Sequence, residues 1–168
     1  FTARKLIKRS NVELIGTTDD PADSLEYHKI IRDIPDFDTV VVPTYRPDKA
    51  VNIELDGFKE YIEKLANSAN RKILCYADLK SVLLERMEFF CEMGCRAADH
   101  GMETIPYIVS DDAELDKIFK AAMSGEKISL PSSLQEIVGS LLFASESPLS
   151  VGDLRTTIRS VEGDETDD

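Results

Sequence analysis

Three short polar segments carry the side chains that could do chemistry. They are residues 17–21 (TTDDP), 44–49 (TYRPDK) and 99–101 (DHG), and each directly follows an apolar segment that reads as a buried strand. In parallel α/β proteins, the loops at the carboxyl ends of the strands build the functional site. Charged and hydroxyl side chains gathered at such ends therefore indicate function more than solubility.

Two kinds of chemistry are open to these segments. The guanidinium of Arg46 can grip a carboxylate through two parallel hydrogen bonds, which fixes orientation as well as charge. The neighbouring Asp99 and His100 can form an acid–base pair, although an Asp-His-Gly turn is as easily a device for shaping a loop. Arg46 also has a structural alternative, which is a surface salt bridge with Asp48.

The remaining polar residues divide between helix capping and function. Asp20 is explained by capping a helix that starts at Pro21, whereas Asp19 is left over. His28 falls midway through that predicted helix and is more simply a structural histidine than a ligand. The three cysteines read as ordinary buried thiols, because no second Cys or His pair completes a metal site with Cys91 and Cys95.

The elements that position these segments follow from the apolar pattern. Strands are predicted at 11–16, at 39–43, where three successive valines favour a buried parallel strand, and at 95–98. Helices are predicted at 21–32, 55–66, 78–93, 111–123 and 132–144. The 78–93 helix carries an apolar stripe that reads as core, and Gly94 supplies its stop.

The order of strand, helix, strand, two helices, strand and further helices predicts an α/β fold. It indicates a piece of a parallel α/β barrel or open sheet that carries a helical insertion. We divide the chain into a strand-helix portion at 1–105, a helical insertion at 106–145 and a divergent tail at 146–168. The tail ends in the acidic run EGDETDD and is expected to be disordered.

Composition excludes several classes of partner. The 168 residues include 32 Asp and Glu against 20 Lys and Arg, for a net charge of -12. Nucleic acids and anionic membranes would be repelled, so an anionic small molecule would need one or two well-placed cations. With an odd number of cysteines, no signal-like opening and no apolar run long enough for a bilayer, we expect a cytoplasmic protein with reduced thiols.

Four segments taken together resemble a known family. VELIGTTDDP, DSLEYHKII, VVPTYRPDKAVNIE and GCRAADHG occur in this order, and they closely resemble uronate isomerase, also called glucuronate isomerase, over about residues 1–144. That family belongs to the amidohydrolase superfamily and adopts a (β/α)8 TIM barrel. It interconverts D-glucuronate with D-fructuronate and D-galacturonate with D-tagaturonate. The resemblance therefore implies a small-molecule uronate as the partner.

The resemblance also implies roles for individual residues. Arg46, in the family's Arg-Pro-Asp motif, looks like the residue that pairs with the carboxylate of the sugar acid. Asp99 and His100 occupy the family's Asp-His position, where they would bind substrate hydroxyls or help in proton transfer, and we take them as the catalytic candidates. Thr18 and Asp19, at another strand end, are the further candidates for substrate binding.

The family's metal site is the main departure. The resemblance implies a divalent metal, zinc by expectation, held in the full-length enzyme by a His-x-His pair and an aspartate. Here the chain contains two histidines, His28 and His100, and no His-x-His pair, so we expect it to hold no metal by itself.

A complete barrel takes about 250 residues, so we expect an internal fragment that supplies the part binding the substrate's carboxylate. The alternative is an inactive truncated barrel that acts at most as a sugar-acid-binding or self-associating module. Unpaired outer strands and a poorly covered sheet face predict self-association in either case.

Overall fold

The computed structural model describes residues 2–101 and 110–125, which form two strands and six helices. In chain order these are α1 (Ala3–Arg9), β1 (Leu14–Asp19), α2 (Glu26–Arg32), β2 (Val40–Tyr45), α3 (Asp48–Val51), α4 (Phe58–Ser68), α5 (Tyr76–Glu92) and α6 (Asp112–Ser124). The predicted helix at 132–144 and the predicted acidic tail lie outside the described residues. Of the helices described, none is long and apolar enough to cross a membrane.

The two strands pair in parallel, with Leu14 opposite Val40 and Asp19 opposite Tyr45. Side chains alternate between the two faces of a strand. One face is covered by helices, and Tyr45 on this face is 1% exposed. The opposite face is open, since Leu14 is 60% exposed and its register partner Val40 is 54% exposed. The predicted buried parallel strands are thus present, but among the described residues only one face is covered.

A third extended segment lies beside β2. The Tyr45 N–H donates to the Ala97 carbonyl at 3.0 Å, the Asp99 N–H donates to the Tyr45 carbonyl at 3.2 Å, and a parallel bridge joins Tyr45 to Ala98. The strand predicted at 95–98 is therefore a single bridge in this structure. Its position places the three polar segments at the carboxyl ends of three neighbouring parallel segments, in chain order.

The first predicted helix begins later than expected. The Asp20 carboxylate accepts from the Ala22 N–H, and the Asp23 carboxylate accepts from the Leu25 N–H, both at 2.9 Å. These two successive turns keep Pro21 out of the helix, because each carboxylate offers the backbone an alternative to helical hydrogen bonding. The prediction that Asp20 caps a helix starting at Pro21 is therefore wrong, and α2 starts only after Leu25.

Other boundaries shift by a few residues. β1 runs three residues further than predicted and β2 runs two, and α1 and α3 are additional short helices. The α5 helix starts before Asp78 because this carboxylate reaches back to accept from the Leu74 and Cys75 N–H groups at 2.9 and 3.2 Å. Asp111 caps α6 by accepting from the Glu114 N–H at 2.8 Å, as one of the two predicted capping residues.

Two apolar clusters hold these elements together. The larger lies among α4, α5 and α6, and its most buried side chains include Ile62, Leu65, Val82 and Phe119. The smaller lies under β2 and contains Leu25, Tyr45, Phe90, Met93 and Cys95. The stripe predicted as core on α5 contributes to both clusters, which confirms that interpretation.

Candidate functional site

Thr18 and Asp19 belong to the end of β1, not to the loop after it. Adjacent residues of a strand point to opposite faces, so these two side chains cannot share a surface. Thr18 is exposed on the open face, beside its register partner Thr44. Asp19 points to the face that the helices cover, and its side chain is 11% exposed.

Asp19 is part of a partly buried network with Thr17 and His28. The Thr17 hydroxyl donates to Asp19 Oδ2 at 2.6 Å, and His28 Nε2 lies 2.7 Å from the same hydroxyl oxygen. Since the hydroxyl hydrogen is used on the carboxylate, His28 Nε2 must be the donor in the second contact. His28 is 7% exposed, so it is a packed residue of the helix layer, as the sequence favoured. The same network engages Asp19, which was expected to bind substrate.

Arg46 and Asp99 form a two-pronged ion pair across the ends of β2 and the third segment. Arg46 Nε–H donates to Asp99 Oδ1 at 2.9 Å, and Nη2–H donates to Asp99 Oδ2. The side chains are 36% and 43% exposed, so solvent reaches both. Hydrogen bonds from Arg46 hold the pKa of Asp99 below its usual range, and Asp99 raises the pKa of Arg46.

The salt bridge that the sequence suggested between Arg46 and Asp48 is longer. Arg46 Nε lies 3.9 Å from Asp48 Oδ2, which is beyond hydrogen-bonding distance. The guanidinium carries five N–H donors, and Asp99 engages Nε–H and one hydrogen of Nη2. In the described part of the chain, the Nη1–Nη2 edge therefore keeps the donors that a second carboxylate would need.

Asp48 is a further functional candidate, which the sequence indicated only as a salt-bridge partner of Arg46. His100 Nδ1 lies 3.2 Å from Asp48 Oδ1, and the Gly101 N–H donates to Asp48 Oδ2 at 3.0 Å. The His100 side chain is 1% exposed, in contrast with its neighbour Asp99. A Cβ on Gly101 would lie 3.1 Å from Asp48 Oδ2, so the close approach favours glycine. The signal in the sequence that could have indicated Asp48 was its position two residues after Arg46, within the same polar segment.

Arg86 of α5 anchors the loop after β1. Its Nε–H donates to the Pro21 carbonyl at 2.7 Å and its Nη2–H to the Asp23 carbonyl at 2.6 Å. The guanidinium also lies 4.3 Å from the centre of the Phe89 ring. Arg86 is 8% exposed, and this burial lowers its pKa. The loop beyond Asp19 is thus fixed from the helix layer, through contacts that the sequence did not indicate.

The metal implied by the resemblance does not fit the residues described. Within residues 2–101 and 110–125 there is no group of three or more His, Cys, Asp or Glu side chains that could hold a metal ion. His28 and His100 are engaged with Thr17 and Asp48 in two separate networks. Among residues 2–101 and 110–125 we therefore assign no metal ligand.

Comparison with protein families and curated proteins identifies relatives over most of the chain. The family model described as glucuronate isomerase (UxaC) matches residues 1–142. Uronate isomerases of Salmonella typhimurium and Salmonella enteritidis are each 46% identical to the chain over 130 residues. These matches cover 77% of the chain but 28% of either relative, so the chain spans less than a third of their length.

Solved structures give a consistent result. The uronate isomerase of Thermotoga maritima superposes with a TM-score of 0.78 at 28% identity, over 85% of this chain and 32% of that protein. The glucuronate isomerase of Caulobacter crescentus superposes with a TM-score of 0.72 at 24% identity, over 92% of this chain and 35% of that protein. At the lower identity, the second match supports similarity of fold alone.

Proposed function

Because the chain belongs to the glucuronate isomerase family, whose model matches residues 1–142, we propose that it is the part of a uronate isomerase that binds the substrate's carboxylate. The family resemblance drawn from the sequence motifs is confirmed. The reaction proposed for the whole protein is the interconversion of D-glucuronate with D-fructuronate and of D-galacturonate with D-tagaturonate. The sugar acid is thus the proposed partner of this chain.

The described sheet supports a segment of a (β/α)8 barrel as its proposed architecture. Two strands and a third extended segment lie side by side in chain order and in parallel, which is the arrangement of neighbouring barrel strands. Helices cover one face, and the open face carries Leu14, Val40 and Thr18. In a closed barrel this open face would be the interior. The division into a portion at 1–105 and an insertion at 106–145 is part of the same proposal.

One observation carries the functional proposal, namely the way in which Asp99 holds Arg46. Asp99 engages one edge of the guanidinium and orients its plane, while the side chain stays 36% exposed at the carboxyl end of the sheet. A substrate carboxylate can then form two parallel hydrogen bonds with the Nη1–Nη2 edge, each contributing roughly 1.5–3 kcal/mol. Such a local cation is needed because the chain's net charge of -12 opposes an anionic ligand.

The isomerisation moves a proton between the aldehyde carbon and the neighbouring carbon that bears a hydroxyl, through an enediol. It requires a base, an acid and stabilisation of the charge that develops on oxygen. Since Arg46 lowers the pKa of Asp99, we assign this carboxylate the role of an anionic acceptor for substrate hydroxyls. His100 is the proposed proton carrier beside it. Thr18 is the proposed hydroxyl contact from β1, whereas the contacts of Asp19 with Thr17 and His28 favour a structural role for Asp19.

Calorimetric titration of the folded chain with D-glucuronate tests the proposal. We expect Arg46→Ala to weaken binding at least tenfold, for a loss of about 1.4 kcal/mol or more, and Arg46→Lys to fall between it and the unchanged chain. The matched control is Arg71→Ala, since Arg71 is another exposed arginine in a carboxylate pair, with Glu85 at 3.1 Å. D-Glucose, which lacks the carboxylate, should bind no better to the unchanged chain than to Arg46→Ala. Equal affinity of the unchanged and Arg46→Ala chains for glucuronate would contradict the proposal.

A second candidate function is a non-catalytic module that binds sugar acids or associates with itself. It is favoured by the sequence, which contains two histidines and no His-x-His pair. Supplying zinc or manganese and following ketose formation separates the two candidates. Turnover that Arg46→Ala abolishes would favour the isomerase, whereas binding without turnover by folded protein would favour the module.

Light scattering tests self-association. The exposed apolar side chains of Leu14 and Val40 predict a species larger than the 18.8 kDa monomer.

A further inference from the structure

A second contact between a carboxylate and an imidazole joins the loop after β2 to the 99–101 segment. It involves Asp48, to which neither the resemblance nor the comparisons assign a role. Asp48 Oδ1 faces His100 Nδ1 at 3.2 Å, while Oδ2 accepts from the Gly101 N–H at 3.0 Å. One carboxylate thus holds both the side chain of one residue and the backbone of the next.

We propose that Asp48 is a positioning residue that fixes the neutral imidazole of His100 as the Nδ1–H tautomer. In this tautomer Nε2 is the nitrogen that can accept a proton. The chemical meaning of this assignment rests on the proposed function, in which His100 carries a proton. The tautomer itself rests only on the contacts of Asp48.

The argument begins with the donor inventory. An ionised carboxylate accepts hydrogen bonds and donates none, so the hydrogen between Asp48 Oδ1 and His100 Nδ1 must belong to the imidazole. In a neutral ring the other nitrogen then carries no hydrogen. This is the same logic by which a carboxylate selects the tautomer of a catalytic or metal-binding histidine in other proteins.

The backbone contact keeps the carboxylate in this orientation. If Asp48 rotated away from His100, Oδ2 would leave the Gly101 N–H, so the two hydrogen bonds support each other. Gly101 also leaves room for the approach, because a Cβ there would lie 3.1 Å from Oδ2. The His100 side chain is 1% exposed, which limits replacement of the Asp48 contact by water.

Asparagine at position 48 gives a specific test, because it keeps the shape of the side chain and changes its donors. The Gly101 N–H still requires an acceptor, so the amide oxygen should turn to it and the amide NH2 should face His100 Nδ1. That nitrogen must then accept, which moves the imidazole hydrogen to Nε2. We therefore expect Asp48→Asn to reverse the tautomer of His100 while the fold is retained.

The measurement is ¹⁵N NMR of the imidazole nitrogens of the whole chain, recorded at a pH where the ring is neutral. The chain has only two histidines, so His28→Gln assigns the signals. The unchanged chain should show a protonated Nδ1 and an unprotonated Nε2 for His100, and Asp48→Asn should show the reverse. The matched control is Asp99→Asn, which removes the same charge from the adjacent residue but not the Nδ1 contact, and it should keep the original tautomer.

Two results would overturn the inference. One is a hydrogen on Nε2 of neutral His100 in the unchanged chain, a measurement that needs no variant and so holds even if Asp48→Asn does not fold. The other is an unaltered His100 tautomer in folded Asp48→Asn. Neither measurement requires substrate, so failure of glucuronate binding or turnover would refute the proposed function without affecting this inference.

Discussion

Replacement of Arg86 by methionine should destabilise the chain through the loop after β1. Methionine has a similar length and no charge, so it removes the hydrogen bonds to the Pro21 and Asp23 carbonyls while filling most of the space. The aliphatic part of the side chain can still lie against Phe89, as the guanidinium does at 4.3 Å. The substitution therefore isolates the polar contribution of the guanidinium.

The size of the effect follows from the surroundings of the two carbonyls. A hydrogen bond from a charged donor contributes roughly 1.5–3 kcal/mol. Pro21 is fully buried, so its carbonyl loses its donor without replacement, whereas Asp23 is exposed and its carbonyl can bind water. Burial takes the Arg86 cation partly out of water and so lowers its pKa, and removal of the guanidinium recovers part of that solvation cost. We expect a net loss of about 2–4 kcal/mol in the free energy of unfolding.

Urea unfolding followed by circular dichroism measures this loss, with Arg86→Lys as the matched variant. Lysine keeps the charge but cannot donate to both carbonyls from one rigid plane, so its loss should be smaller than that of methionine. Hydrogen exchange gives a local readout, because the Ala22 and Leu25 amides are bound within the same loop and should exchange faster in Arg86→Met. An unfolding free energy for Arg86→Met within about 0.5 kcal/mol of the unchanged chain would refute the reasoning.

Two further predictions concern the ends of the strands. The Asp99 pKa is lowered by Arg46 in the folded chain, so the associated stability is present above the ordinary aspartate value of about 3.9 and is lost as pH falls through the lowered value. A carboxyl ¹³C titration should place the Asp99 midpoint below that value and return it towards that value in Arg46→Ala; an equal midpoint in both would contradict the ion pair. Tyr45→Phe removes the hydroxyl that donates to the Leu83 carbonyl at 2.8 Å and should cost about 1 kcal/mol in urea unfolding, and a loss above about 3 kcal/mol would show that the ring packing had also changed.

The pattern of the sequence predicts the elements well where local signals agree. The three valines before Pro43 locate β2, the stripe from Leu79 to Met93 locates α5, and Asp111 locates the start of α6. The start of α2 was wrong because two carboxylates, Asp20 and Asp23, each bind a nearby backbone N–H and so compete with the helix. Propensity at a single position does not show which of two local hydrogen bonds will form.

The sequence singled out the residues of the candidate site, whose roles stay predictions, but it did not indicate how they pair. Motifs identified Arg46 and Asp99, but the only salt bridge that the sequence suggested for Arg46, as a structural alternative, was with Asp48 two residues away. The pairing of Arg46 with Asp99 joins residues 53 positions apart, which the sequence does not indicate. β1 ends three residues beyond its predicted end and β2 ends two residues beyond its own. Because β1 extends to Asp19, the alternation of side chains between the two faces of the strand places Thr18 and Asp19 on opposite faces. Contacts that depend on how β2 lies beside the third segment could not be predicted from the sequence and became visible only in the structure.

The loop after β2 and the loop after the third segment are joined by two sets of polar contacts, one through a cation of the first loop and one through an anion of the first loop. The loop after β2 supplies the cation Arg46, which pairs with Asp99. It also supplies the anion Asp48, which contacts His100 and Gly101. For the evolution of such a protein, this means that the two loops inherit a shared constraint. Replacing Arg46 or Asp48 in the first loop removes a partner from the second, so a change of substrate specificity at these positions would require coordinated change in both loops.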